Sequence, residues 1–197
     1  MNIITIARQF GSGGRSIGRE LSQRLGIPCY DKEFVKKVAL ETGFDEKFIE
    51  DRGEHVQVGA WFGSGLGAHS MAGSQSIEDF LWSVQSKIIL DLAEKGPCII
   101  IGRCASYLLR NRSDVISAFI HAPVEDRAKR IVKLYGESDV KPEKRLEEKD
   151  KKRKLYWLHY TGLEWGASEN YDICLNSSKL GIEGCVNILE RLGKGES

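Results

Sequence analysis

Residues 7–18, ARQFGSGGRSIG, form the stretch that decides the fold. They follow a short apolar run at residues 3–7 that is rich in β-branched side chains. They precede Ile17, Leu21 and Leu25, whose four-residue spacing is typical of a buried helix face. The order strand, glycine-rich loop, helix predicts that the loop binds a ligand, turns tightly, or does both.

The loop partly matches the phosphate-loop pattern G-x-x-x-x-G-K-[ST]. Gly14 occupies the second glycine position, Arg15 the lysine position and Ser16 the hydroxyl position, whereas Gln9 replaces the first glycine. Glycines let consecutive backbone amides turn toward an anion, and the start of a helix adds a positive dipole end. An arginine keeps the lysine's charge and gains a fork that fits phosphate oxygens. The loop therefore favours phosphate binding.

Two other interpretations of the loop stay open at this point. Gly11 and Gly13 also fit the start of the dinucleotide pattern G-x-G-x-x-G, and Asp31 lies where an acid could hold a ribose. The third glycine position of that pattern is Ser16, however. The second alternative is a tight turn that binds nothing.

Apolar runs alternate with helical patterns along the rest of the chain. Strands that are apolar throughout are covered on both faces, and strands separated by helices form parallel sheets with right-handed crossovers. The sequence therefore predicts an α/β fold, a doubly wound sheet of five parallel strands between two layers of helices. The predicted strands are residues 3–7, 28–30, 98–101, 115–120 and 172–175.

Length and composition narrow the class of protein. The chain has 197 residues, is 41% hydrophobic and 29% charged, and carries a net charge of +1. This suits one globular domain and gives no overall attraction to nucleic acid or membrane. The five cysteines form no CxxC pair, and neither a secretion signal nor a membrane span is evident. We therefore expect a cytoplasmic protein with no zinc site.

Ligands of such sheets bind at the carboxyl ends of the strands, where charged residues recur. Asp31 follows the second predicted strand, and Arg103 follows Gly102 after the third. Arg127 and Arg130 share a face of the helix that begins after Pro123. Residues 141–154 hold eight basic and four acidic side chains, for which a solvated helix face is the plain interpretation. The functional interpretation is that this helical segment closes over bound phosphates.

Taken in order, these segments resemble the nucleoside monophosphate kinases, most closely the cytidylate kinase-like family. In this chain, GSGGRSIGRELSQRLG resembles the family's phosphate loop and first helix. CYDKEF resembles the family's acceptor-binding segment, and IIIGRCA resembles its strand that ends in Gly-Arg. The family's proline-led helix before its lid, the segment that closes over the site, is resembled by APVEDRAKR. The lid itself is resembled by LEEKDKKRKLYW, and the last strand and helix by NYDICLNSSKLGIEGCVNIL. Cytidylate kinases have lysine at the position of Arg15 and typically aspartate at that of Cys104.

The resemblance implies a P-loop kinase that uses ATP and Mg²⁺ to phosphorylate a small acceptor, expected to be a nucleoside monophosphate. It implies one domain over residues 1–197, with an acceptor-binding insert at about 31–95 and a lid at about 136–162. Asp31 and Arg103 would bind the acceptor, and Ser16 and Asp31 the metal. The expected ATP-binding residues are Gly11, Ser12, Gly13, Gly14, Arg15, Ser16, Arg127 and Arg130. The expected catalytic cations are Arg15, Arg103, Arg145 and Arg153.

The alternatives are a nucleotide-binding regulatory protein without turnover and a kinase of a non-nucleotide acceptor. A nucleic-acid-binding protein and a nicotinamide enzyme are further rivals, which the near-zero net charge and the loop disfavour respectively. We expect nucleotides as partners, and neither nucleic acid nor membrane. Trp61, Phe62 and Trp82 look exposed, which suggests a homodimer surface, and the Gly/Ser-rich residues 59–76 are predicted to form a loop.

Overall fold

A computed structural model describes residues 1–52 and 77–196, with five parallel strands in the order β2-β3-β1-β4-β5. The strands are β1 Ile3–Arg8, β2 Cys29–Tyr30, β3 Ile99–Ile101, β4 Val115–His121 and β5 Ile173–Asn176. The predicted number, position and parallel arrangement of the strands are therefore confirmed. Residues 59–76, with Trp61 and Phe62, lie outside the described residues.

Helices cover both faces of the sheet. They are α1 Gly14–Leu25, α2 Lys32–Thr42, α3 Glu46–Arg52, α4 Ile77–Glu94, α5 Ala105–Leu108, α6 Val124–Tyr135, α7 Pro142–Thr161 and α8 Ser177–Lys194. The helix α3 was not predicted, because its seven residues are too few for a clear periodicity. Within the described part of the chain, no helix meets the length and apolarity needed to cross a membrane.

The core lies on either side of β1, which is buried along its whole length. Ile4 and Ile6 pack with α1 and α8 on one face of the sheet, and Ile3 packs with α2 and α4 on the other. Successive side chains of a strand point to opposite faces, so a central parallel strand needs apolar side chains at both. This burial fixes the end of β1, and with it the position of the glycine-rich loop.

A third, aromatic cluster lies under α7 at the carboxyl edge of the sheet and includes Tyr156, Trp157 and Tyr171. Trp82 of α4 belongs to it, because its ring stacks on Tyr160 at 4.2 Å between centroids. Trp82 is therefore half-buried rather than fully exposed, and its place in a homodimer surface stays a prediction. The ring of Trp82 contacts those of Tyr156 and Tyr160, and these contacts pair α4 with α7.

Candidate active site

The glycine-rich loop joins β1 to α1 through two left-handed residues, Gly11 at φ 78° and Gly13 at φ 90°. The first hydrogen bond of α1 runs from the Ile17 amide to the Gly13 carbonyl, 3.0 Å long. The amides of residues 14–16 therefore precede the internal bonds of the helix and are the groups that bind anions at helix starts. A Cβ on Gly13 would overlap the Ile182 side chain, so only glycine brings the loop this close to α8.

Side chains of the loop tie it to the sheet. The Gln9 side-chain oxygen accepts a bond from the Ala122 amide at 3.1 Å, just after β4. The Ser12 hydroxyl donates to the Gln9 carbonyl at 2.9 Å, and the Ser177 hydroxyl donates to the Ser12 carbonyl at 2.6 Å. Gln9 therefore replaces the first glycine of the phosphate-loop pattern with a contact to β4. Ser12, predicted to bind ATP, turns its hydroxyl toward protein, so any contact with a ligand would come from its backbone.

Arg15 forms an ion pair with Asp31, with 2.9 Å between Nε and Oδ2. The Arg15 side chain is 44% exposed, whereas that of Asp31 is only 10% exposed. Asp31 directly precedes α2 yet makes no side-chain cap bond to it. The Asp31 carboxylate thus holds Arg15, which occupies the lysine position of the loop. From the sequence, Arg15 was expected to bind ATP and Asp31 to bind the acceptor, and the structure brings the two side chains together.

A cavity of about 280 Å³, which we call the loop cavity, opens on the glycine-rich loop. Ser16 and Arg15 lie at its floor, and Arg130 and Tyr135 of α6 line its wall. Arg130 also donates to the Gly11 carbonyl at 2.8 Å, which fixes the guanidinium beside the loop. Three further arginines line the same space, which makes five in all, so the cavity is suited to a polyanion. It is lined by Arg8, Gln9, Phe10, Gly11, Gly13, Gly14, Arg15, Ser16, Arg19, Arg130, Leu134, Tyr135 and Arg153.

A second, smaller cavity of about 30 Å³ adjoins it at the carboxyl ends of β1 and β3, and we call it the inner cavity. Arg103 lines it together with Arg8 and Arg153, and Trp157 lies on its α7 side. Arg103 and Cys104 are both left-handed, at φ 55° and 54°. Such backbone strain in non-glycine residues costs of order 1–3 kcal/mol each and is concentrated at functional sites. The strain accompanies the sharp turn that brings Arg103 to this cavity.

Arg127 does not reach the loop cavity as predicted. It is 6% exposed, donates through Nε to the Ala122 carbonyl at 3.0 Å, and pairs with Asp150 of α7 at 2.6 Å. The other Asp150 oxygen accepts the Phe10 amide at 2.7 Å. Because Arg127 is buried and engaged in this way, it joins α6, α7 and the glycine-rich loop. The sequence signal, an arginine on an amphipathic helix, does not distinguish this role from phosphate contact.

The two lid arginines separate in the structure. Arg153 lines both cavities and donates to the Arg8 carbonyl at 3.2 Å. Arg145 lies on the exposed part of α7 and donates to the Gly136 carbonyl at 3.0 Å. It lines neither cavity, so its predicted catalytic contact is not made in this arrangement.

Sequence reasoning missed Arg8, the last residue of β1. Its side chain is 7% exposed and lines both cavities. A charged residue at the end of an otherwise apolar central strand was the available signal, because burying an arginine requires partners or an anion.

Titration and metal ligands complete the description of the site. Burial raises the pKa of the Tyr171 phenol well above its ordinary value, so this ring stays neutral beside the inner cavity. No group of three or more His, Cys, Asp or Glu side chains that could hold a metal occurs among the described residues.

Comparison with known proteins agrees with this arrangement. Residues 3–179 match the sequence profile of the cytidylate kinase-like family. A cytidylate kinase of Ignicoccus hospitalis is 24% identical over 201 residues, covering 98% of this chain and 99% of that protein. An uncharacterized protein from Eubacterium ventriosum has a TM-score of 0.73 at 26% identity, over 98% and 99% of the two chains. The shikimate kinase of Acinetobacter baumannii, solved with shikimate, has a TM-score of 0.57 at 13% identity, over 100% and 95%.

The fold and the glycine-rich loop define the class of protein as a P-loop kinase, a nucleotide kinase-like phosphotransferase. The chain belongs to the cytidylate kinase-like family. The resemblance inferred from the sequence is thereby confirmed, and with it the fold class.

Proposed function

We propose that the protein transfers the γ-phosphoryl group of ATP to a small acceptor, with a nucleoside monophosphate as the acceptor class. The observation that carries the proposal is the pairing of two adjoining arginine-lined cavities, one on the glycine-rich loop and one at the ends of β1 and β3, which share Arg8 and Arg153. Phosphoryl transfer needs two anionic groups held in line, and catalysis of it is mostly positioning and charge neutralisation.

The donor phosphates would lie in the loop cavity against the amides of residues 14–16. Arg15, held by Asp31, would contact their oxygens through its planar fork. Arg130 fits the same role, because its bond to the Gly11 carbonyl already places it beside the loop. Support for a polyphosphate rather than a dinucleotide comes from the number of cations that line this cavity.

Magnesium fits the loop through Ser16, which lines the loop cavity in the first turn of α1. When bound, the ion would offset the charge of the donor phosphates and help to hold them in line. Asp31 would act on it only through water, since its carboxylate is engaged by Arg15. The cytoplasm is the compartment we propose, and the five free cysteines accord with its reducing conditions.

The acceptor phosphate would enter the inner cavity, where Arg103 lies. The cavity's volume of about 30 Å³ is close to that of one water molecule, so a phosphate would enter only as the cavity widens, and the remainder of a nucleotide would extend out of it. We propose that the insert over residues 31–95, part of which lies outside the described residues, contacts the nucleoside part of the acceptor. Closure of the lid, residues 136–162, would exclude water from the reacting groups.

The test is incubation of the protein with Mg·ATP and a panel of nucleoside monophosphates, with ADP release followed and the product identified by mass. We expect one pyrimidine or purine monophosphate to become a diphosphate. A product from a hydroxyl-bearing metabolite instead would replace the acceptor class and keep the kinase assignment. Tight ATP binding with no product from any acceptor would contradict the proposal and favour a regulatory nucleotide-binding protein.

A further inference from the structure

The indole of Trp157 carries a buried hydrogen-bond donor that lacks an acceptor. Trp157 is 3% exposed, and its Nε1 atom is buried without a hydrogen-bond partner among the described residues. A buried N–H group gives up its bonds to water when the chain folds, so nearly all such groups in folded proteins have a partner. The exception indicates that a bound molecule supplies the acceptor.

The Trp157 side chain borders the inner cavity, where the proposed function places the phosphate of the acceptor. Arg153 lies one turn earlier on α7 and borders the same cavity, because residues four apart share a face of a helix. Arg103 lines the cavity from the end of β3. An oxygen atom bound in this cavity can therefore accept the hydrogen bond that the indole N–H lacks.

Two aromatic rings hold the indole in place. The Tyr171 ring lies 5.7 Å from that of Trp157 at an interplanar angle of 32°, and the Tyr107 ring lies 6.4 Å away at 75°. Both distances, measured between ring centroids, are typical of attractive aromatic pairs. Tyr107 belongs to α5, which begins at Ala105 just after Arg103, so the indole packs against the segment that carries Arg103. A donor held in this way is preorganised for its acceptor.

The chemistry of the indole limits what it binds. Its N–H donates a hydrogen bond, but the ring has no acceptor and carries no charge. Among oxygen acceptors, an ionised phosphate oxygen forms the stronger bond. The volume of the inner cavity, about 30 Å³, leaves room for one oxygen atom at the indole before the cavity widens to admit a whole phosphate. A water molecule is the competing occupant.

We infer that Trp157 is an acceptor-binding residue whose indole N–H donates to an oxygen of a phosphate group in the inner cavity. That this phosphate belongs to the acceptor rests on the proposed function. Trp157 would act on specificity, because a molecule that places an apolar group at this point leaves the buried donor unpaired and binds more weakly. No bond to phosphorus changes at Trp157, so its effect falls on acceptor affinity rather than on kcat.

The first experiment observes the indole directly. The chain has four tryptophans, so the wild-type protein gives four indole N–H resonances in a ¹⁵N-resolved spectrum, and Trp157→Phe identifies the one from Trp157. Titrations use inorganic phosphate, AMP, CMP, GMP and UMP, with sodium chloride at equal ionic strength as the comparison. The Trp157 resonance should move downfield with at least one phosphate compound and stay in place with chloride. A resonance that stays in place in every titration overturns the inference.

Kinetics with the acceptor that wild type phosphorylates test the same bond. Trp157→Phe should raise KM for that acceptor roughly tenfold or more, because a bond to a charged oxygen is lost, while kcat and KM for ATP change less than about threefold. Since phenylalanine is also smaller, a second variant carries benzothienylalanine at position 157, with sulfur in place of the N–H in a ring of the same shape. It should reproduce the rise in KM and retain the melting temperature, because the N–H that it lacks has no partner among the described residues.

Tyr160→Phe is the matched control. The Tyr160 hydroxyl is likewise buried and has no partner among the described residues, but Tyr160 does not line the inner cavity. Its removal should leave KM for the acceptor within about twofold of wild type, because no bond to the acceptor is lost. An unchanged KM in both Trp157 variants, or an equal rise in Tyr160→Phe, overturns the inference and leaves the kinase assignment intact. No turnover by wild type removes the proposed function, whereas the Trp157 resonance still decides whether the indole binds phosphate.

Discussion

Asp150→Asn should detach the lid helix from the glycine-rich loop. The carboxylate is 8% exposed as part of its residue, pairs with Arg127 at 2.6 Å, and accepts the Phe10 amide at 2.7 Å. The substitution preserves size but removes the charge. It also turns one of the two acceptor oxygens into an NH2 donor, so the side chain can no longer accept both the Arg127 guanidinium and the Phe10 amide. Breaking a buried ion pair from one side typically costs about 3–5 kcal/mol.

That cost is large against the stability of a domain, which is typically about 5–15 kcal/mol. Urea unfolding of wild type, Asp150→Asn, Arg127→Met and the double variant would measure it, with tryptophan fluorescence as the signal. Trp157 and Trp165 lie in the aromatic cluster beside α7, so the signal reports the region concerned. We expect the double variant to lose less than the sum of the single ones, by about 1–3 kcal/mol.

Lys194→Met is the matched control, because Lys194 and Glu190 also form an ion pair, at 2.7 Å, but an exposed one. It should leave the free energy of unfolding nearly unchanged, as the loss of an exposed helix pair does. A loss below about 1 kcal/mol in Asp150→Asn, or additive single losses, would refute the account of Arg127 and Asp150 as the joint between lid and loop.

Three further predictions concern the loop and the core. Arg15→Ala should leave the melting temperature within a few degrees of wild type, since the Arg15 side chain is 44% exposed, while calorimetry should show loss of Mg·ATP binding. Unchanged affinity would contradict its phosphate role. Gly13→Ala should lower the free energy of unfolding by about 1–3 kcal/mol, because φ is 90° and the new methyl group overlaps Ile182. Adding Ile182→Ala should restore part of that free energy in denaturant titrations, and no restoration would contradict the contact. Burial raises the pKa of Cys98 from 9.0 to about 11. Between these pH values the thiol of the unfolded chain loses its proton while that of the folded chain keeps it. The free energy of unfolding therefore falls as pH rises, by at most roughly 1.4 kcal/mol per pH unit. Cys98→Ala should flatten this part of the pH profile in denaturant titrations, and an identical slope in both proteins would contradict the burial effect.

Much of the fold could be predicted because its signals are local. An apolar run such as residues 3–7 has few alternatives to a buried strand, and Gly26 ends α1 in the left-handed conformation expected of a helix-terminal glycine. The short α3 lacked a readable period, and Trp82 looked exposed because its stacking partner, Tyr160, lies far away in sequence. Contacts between distant segments leave no pattern in a single sequence.

In the candidate site, too, the residues placed by local signals were predicted, whereas those placed by contacts between distant segments were not. The loop glycines, Arg15, Ser16 and Arg103 were identified because strand ends and loop spacing place them, and the structure puts them at the two cavities. Arg127 and Arg145 were assigned to phosphate contact from helix faces, yet one is buried against Asp150 and the other bonds the Gly136 carbonyl. A helix face shows which side chains lie together but not what covers them. Arg8 was missed since a strand residue's role depends on Gly14 and Gly102 leaving it space.

Binding of a polyphosphate by the start of α1 is the claim on which the functional account depends. The most direct measurement follows the backbone amide resonances of residues 13–16 during titration with Mg·ATP, with adenosine as the uncharged comparison. The account predicts large shifts of these four resonances with Mg·ATP and little change with adenosine. Resonances of the loop that stay in place while Mg·ATP binds elsewhere, or does not bind, would contradict it.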